Sequence, residues 1–142
     1  MGYRVELTDA SQGFVDYLLK KNKNARMLNI LTNDLETDYD LIMAMAVFLH
    51  FNPKELILVL NKVAAAFKPS GRLLFSLKVG KGKEVTSSKL DAQRYFCYYS
   101  ADAINQLLTE IGFRPINIKT NADFRGKDRP DWLLVSALKS NS

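Results

Sequence analysis

The apolar positions change period several times along the chain, and each change marks an element. Tyr3, Val5 and Leu7 alternate with Arg4, Glu6 and Thr8, the period of two expected of a half-buried strand. The alternation stops at Asp9-Ala10-Ser11, a turn from which Ser11 can cap a helix. That helix is "QGFVDYLLKKNKN", with Phe14, Tyr17, Leu18 and Lys21 on one face over about three turns. "ARMLNIL" is a short apolar run that predicts a strand, and "TNDLETDYD" is acidic and too short for much of a helix. "LIMAMAVFL" is continuously apolar. Such a run suits a strand buried on both faces of a parallel sheet, although a buried helix has the same look.

"HFNPKELILVLNKVAAAFKPSG" carries the clearest helix. Asn52 is placed to cap it, Pro53 to open it and Glu55 to close a capping box. Leu56, Ile57, Leu60, Val63, Ala64 and Phe67 form its apolar face, and Pro69 and Gly71 stop it. "RLLFSLKV" predicts a strand. "GKGKEVTSSKLDAQRYFCYYS" reads as a long loop, a type of segment that tends to be functional or mobile. Ser100 then caps "ADAINQLLTEIGF", with Ile104, Leu107, Leu108 and Ile111 inward and Gly112 at the end. "FRPINIKT" and "DWLLVSAL" predict two last strands. Strands alternating with helices imply a layered α/β fold with a mostly parallel sheet. No helix separates the last two strands, which implies an antiparallel C-terminal pair.

Composition narrows the class. The 142 residues suit one domain, 1–142, and 47% of them are hydrophobic, enough for a sizeable core. No apolar run reaches the ~18 residues of a membrane span, and Arg4, Glu6 and Asp9 break any signal-peptide core. The single cysteine, Cys97, suits a reducing cytoplasm. One His and one Cys argue against a zinc site made of such ligands. The net charge of +5 permits an acidic partner. The lysines are scattered, without a basic stripe interleaved with aromatics, which speaks against nucleic acid.

Read in order, "YDLIMAMAVFLHF", "AAAFKPSGRLLFSLKVGKG", "RYFCYYSADAINQLLTEIGF" and "DRPDWLLVSAL" resemble the class I S-adenosylmethionine-dependent methyltransferases. "RYFCYYS" and "PDW" resemble more narrowly a small bacterial, tellurite-resistance-like branch. The resemblance implies a Rossmann-like sheet and transfer of the cofactor's methyl group to a small acceptor, with no metal. It also implies that Asp9, at the end of its strand, accepts hydrogen bonds from the cofactor ribose. A carboxylate suits that task because it only accepts and can do so with both oxygens; a turn aspartate is the competing reading.

By the same resemblance Asn29 and Ile30 meet the adenine, and Ala44, Met45 and Ala46 line the cofactor where close approach needs small residues. His50, the only histidine, is a candidate general base or a structural hydrogen-bonding residue. Tyr95, Tyr98 and Tyr99, with Phe96, close the acceptor side, and Trp132 lies near it. The competing reading for these aromatics is core packing. Arg94, Arg125 and Arg129 either meet an anionic substrate or are solvated.

The family's first strand and G-x-G-x-G loop have no counterpart here. "GKGKE" at 80–84 follows a late strand and opens no helix. The expectation is an N-terminally truncated domain, short of about 40–50 residues, that binds the cofactor weakly or not at all. The alternative to an enzyme is a non-catalytic module of the same fold that binds or oligomerises. The strand without a counterpart would lie between "YRVELTD" and "LIMAMAV". Either these two segments pair directly, or a second copy covers the gap, and the expectation leans to a homodimer.

Overall fold

Three helices are set by their caps. In the computed structural model, which describes residues 4–80, 83–87, 93–122 and 131–140, the Asn52 side chain accepts the Glu55 N–H at 2.8 Å. The Glu55 carboxylate accepts the Asn52 N–H in return at 3.0 Å. This reciprocal box, with Pro53 at the first position, opens α2 (Pro53–Ala66). Leu56, Val59, Leu60 and Val63 are its buried face; Ile57, expected inward, is exposed, and Val59 takes its place. Ser100 accepts the Ala103 N–H at 3.2 Å to start α3 (Ala101–Ile111), and Gly112 ends it in the left-handed region at φ +116°. Ser11 does the same for α1 (Gln12–Lys20) by accepting the Phe14 N–H.

Two compact units divide the chain, residues 1–35 and 36–142. In the larger one α2 passes straight into β4 (Phe67–Val79). β3 (Tyr39–Ala44) lies parallel to β4. On its other side β4 pairs antiparallel with β8 (Trp132–Lys139), which pairs antiparallel with β7 (Phe113–Asn121). Leu73, Phe75 and Leu77 of β4 sit opposite Ala137, Val135 and Leu133 of β8, and all six are almost wholly buried. With the buried faces of α2 and α3 they form the core. The last two strands pair as the sequence implies. The six-stranded sheet is mixed rather than mostly parallel: among the described strands three of its pairings are antiparallel and two parallel.

The extra antiparallel pair comes from the segment read as a loop. β5 (Lys83–Ser87) and β6 (Gln93–Tyr99) form an antiparallel pair, and β6 runs parallel to the end of β4 at Lys78–Tyr98 and Val79–Tyr99. The lysines and glycines of this stretch outweigh, to the eye, the β-branched and aromatic residues that favour strands.

"LIMAMAVFL" also departs from expectation. Its strand ends at Ala44, a turn follows with Ala46 at φ +59°, and Phe48–His50 is a 3₁₀ turn. Leu41, Met43, Met45 and Val47 are 50%, 58%, 46% and 43% exposed, so this strand is not buried on both faces. β3 has one strand neighbour among the described residues, β4.

The smaller unit holds β1 (Leu7–Asp9) parallel to β2 (Ala25–Met27), with α1 between them in sequence. The inward residue of α1 is Val15; Phe14 and Tyr17, expected inward, are 48% and 55% exposed and stack on each other at 6.2 Å. The face at 14, 17 and 21 is real but points to solvent, where Lys21 lies over the Tyr17 ring at 5.7 Å. Within this unit β1 pairs with β2.

Candidate functional site

Asp9 closes β1. Its Oδ1 accepts the Ser11 N–H at 2.8 Å, an Asx turn that leads the chain into α1. The turn reading and the ribose reading are compatible. Oδ1 is committed to the backbone, and Oδ2 has no partner among the described residues, so one acceptor lone-pair set remains for a hydroxyl donor. That remaining oxygen is an acceptor of the kind a ribose hydroxyl would need.

Asn29 lies just beyond β2 and is occupied by its own turn. Its N–H donates to Asn33 Oδ1 at 2.8 Å, its Oδ1 accepts the Leu31 N–H at 3.0 Å, and its carbonyl accepts the Asn33 N–H at 2.7 Å. Ile30 sits inside this turn, half-buried. A 29–33 turn of this kind presents backbone around a strand end without needing a longer strand, which is why β2 is shorter than "ARMLNIL" suggests.

In the larger unit, Ala44 is buried at the end of β3 and Met45 is exposed. The turn after them is pinned to the sheet: the Ala46 N–H donates to Ser76 Oγ at 2.7 Å. His50 is exposed, and its ring packs on Phe96 with centroids 5.1 Å apart. Tyr99 is buried, and its hydroxyl donates to the Phe51 carbonyl at 2.9 Å, tying β6 to the segment that precedes α2.

Tyr98 and Tyr99 meet in one cavity of about 890 Å³, lined also by Asn52, Lys54, Leu56, Ile104 and Leu107. The first turns of α2 and α3 both open on it. Its volume is that of a pocket for a small molecule, and its walls are mostly apolar. The Tyr95 and Arg94 side chains and all of Arg125 and Arg129 lie outside the described residues.

Trp132 stands at the start of β8, with the Lys78 ammonium 4.0 Å above its ring. Lys78 is buried, and the cation–π contact offsets part of the cost of taking its charge out of water. Sequence reasoning missed Lys78. The only signal was a lysine inside the strand run "RLLFSLKV" with an aromatic on a later strand. Among the described residues there is no cluster of His, Cys, Asp and Glu that could hold a metal ion, and no helix is long and apolar enough to cross a membrane.

No family model matches the chain, and no curated protein sequence does either. Solved structures do. The 1,6-didemethyltoxoflavin-N1-methyltransferase of Burkholderia thailandensis, determined with 1,6-didemethyltoxoflavin and S-adenosylhomocysteine bound, is 19% identical with a TM-score of 0.72. The alignment covers 99% of this chain and 63% of that one. An S-adenosylmethionine-dependent methyltransferase of Methanosarcina mazei is 12% identical, with a TM-score of 0.76 over 96% of this chain and 82% of that one. A methyltransferase described in the same way from Listeria monocytogenes is 16% identical, with a TM-score of 0.75 over 97% and 80%. At these identities the likeness is one of fold, and the fold is that of the S-adenosylmethionine-dependent methyltransferases. The chain spans less than two thirds of the length of the Burkholderia enzyme.

Proposed function

We propose that this chain, as one domain, is a methyltransferase-like protein that binds S-adenosylmethionine through Asp9 and serves methyl transfer to a small acceptor in the cytoplasm. The observation that carries the reading is the Asp9 carboxylate at the end of β1, with one oxygen held by the backbone and the other open to a ribose hydroxyl. Asn29 and Ile30 are assigned to the adenine, and Ala44 and Met45 to the cofactor wall. When bound, the cofactor supplies an electrophilic methyl group on a sulfonium sulfur. The chain's own contribution is to hold donor and acceptor in line.

The cavity at Tyr98 and Tyr99 is assigned to the acceptor, and Tyr95 and Trp132 are assigned to the acceptor side by the resemblance. His50, packed on Phe96, is kept as the candidate general base, a structural role being the alternative. "RYFCYYS" and the Asp131-Trp132 end of "PDW" support the tellurite-resistance-like branch.

Calorimetric titration with S-adenosylmethionine and S-adenosylhomocysteine tests the reading. Binding carried by the Asp9 contact alone is expected to be weak, one hydrogen bond to a charged group being worth roughly 1.5–3 kcal/mol. The residual heat should vanish in Asp9→Asn. A dissociation constant in the low micromolar range would show that the methionine end is held by residues not assigned here.

A second reading is favoured by the exposed apolar edge of β3: a non-catalytic module of this fold that works as a homodimer. Absence of any cofactor heat, together with self-association in light scattering, would select it.

A further inference from the structure

The wall of the cavity between α2 and α3 has polar groups, but the fold already uses them. The Asn52 side chain accepts the Glu55 N–H at 2.8 Å, and the Ser100 hydroxyl accepts the Ala103 N–H at 3.2 Å. The Tyr99 hydroxyl donates to the Phe51 carbonyl at 2.9 Å. Cys97 and Tyr98, also in the wall, have contacts of their own. A neutral polar molecule entering this space would leave its bonds to water and find few groups to replace them, which costs free energy.

The apolar part of the wall has the opposite character. Leu56 and Ile104 are wholly buried and lie deep in it. Leu107 is half-buried, and Ile57 is 44% exposed although it lines the same space. A large aliphatic side chain that lines a cavity and still meets water is stabilised when an apolar body enters.

One charge stands at the mouth. Lys54 is the charged residue among the described residues of the wall, and it is exposed. It lies three positions before Ile57 on α2, on the same side of the helix. Among the described residues it enters no ion pair. Neither Asp nor Glu is among the described lining residues. The carboxylate next in sequence, Glu55, is held by the Asn52 N–H at 3.0 Å.

We infer that this cavity takes a small apolar carboxylate. Its ring or short hydrocarbon body lies against Leu56, Ile57, Ile104 and Leu107, and its carboxylate meets the Lys54 ammonium at the mouth. The inference rests on the assignment of this cavity to the acceptor and names the acceptor's class. Burial of the body supplies most of the affinity. The lysine supplies discrimination by charge, modest and salt-sensitive because it is exposed.

The test is calorimetric titration of the whole chain, without cofactor, with 2-naphthoate, with the uncharged 2-naphthamide of similar shape, and with acetate, which has the charge and no body. Naphthoate is expected to bind about 5-fold tighter than naphthamide at low salt, with the gap closing in ~0.5 M salt. Acetate should give no heat of binding. Lys54→Glu should reverse the order, the amide then binding the tighter. Ala103 is an exposed residue of the wall, so Ala103→Trp narrows the space without touching the core. It should weaken both naphthyl compounds at least about 10-fold with an unchanged circular dichroism spectrum. No binding of naphthoate up to about 5 mM, equal affinity for acid and amide, or binding unaltered by Ala103→Trp would each overturn the inference. Failure of S-adenosylmethionine to bind in its own titration would overturn the methyl-transfer reading and leave these results standing.

Discussion

Two side chains named from the sequence now have structural work as well as candidate chemistry, and substitution separates the two roles. Asp9 needs only one acceptor oxygen for its bond to the Ser11 N–H. Asn supplies that oxygen and Ala does not. Asp9→Asn is therefore expected to leave stability within about 0.5 kcal/mol of the parent, while Asp9→Ala costs roughly 1 kcal/mol. Urea unfolding followed by circular dichroism gives both values. A cofactor affinity lost equally in the two variants then belongs to the ribose contact and not to the turn. Tyr99 is the converse case. Its hydroxyl bond to the Phe51 carbonyl is part-buried, so Tyr99→Phe leaves an acceptor without that donor and is expected to cost about 1–2 kcal/mol. A Tyr99→Phe protein with parental stability would argue that the hydroxyl serves a ligand rather than the fold.

At the scale of elements, caps were legible and edges were not. Asn52, Pro53 and Glu55 announce α2 by chemistry that acts within four residues, and the structure has both bonds of the box. Asn52→Ala removes one of them and should lower stability by about 1 kcal/mol, seen as a lower urea midpoint at an unchanged slope. A change in slope instead would mean that the substitution alters how much of the chain unfolds together. Ser11, Ser100 and Gly112 were readable for the same local reason.

Which face of an element meets the core depends on partners far away in sequence, and there the pattern misled. Phe14 and Tyr17 of α1 point outward while Val15 points in. The 41–47 run looks like a strand buried on both sides, but the strand ends at Ala44, pairs with β4 alone among the described residues, and leaves Leu41 and Met43 half exposed. The β5–β6 pair was hidden because strand pairing is non-local and its lysines read as loop. Asp9, Tyr98, Tyr99 and His50 are candidates that come from the resemblance alone. The cavity between the first turns of α2 and α3, and the Lys78–Trp132 contact, arise only when distant strands come into register.

For the molecule as a whole, the two compact units differ in what holds each of them. In residues 36–142, β4 and β8 are joined from Arg72–Leu138 to Lys78–Trp132 and backed by core residues that exclude water almost completely. In residues 1–35, β1 and β2 are joined over three positions, Leu7–Ala25 to Asp9–Met27. Val15 and Leu28 are the hydrophobic residues of that unit that are fully buried among the described ones, and Val5, Leu19 and Met27 are about half exposed. Parallel strands normally owe their stability to burial on both faces, which this pair lacks. Opening of the smaller unit should therefore cost much less than global unfolding. Native-state hydrogen exchange measures this directly. The amides of Leu7 and Leu28, bonded to the Asn24 and Asp9 carbonyls at 2.8 Å, are expected to exchange at least about 100-fold faster than the most protected amides of β4 and β8. Equal protection in both regions would show that residues 1–35 unfold only with the rest of the chain, and the division into two units would then have no energetic counterpart.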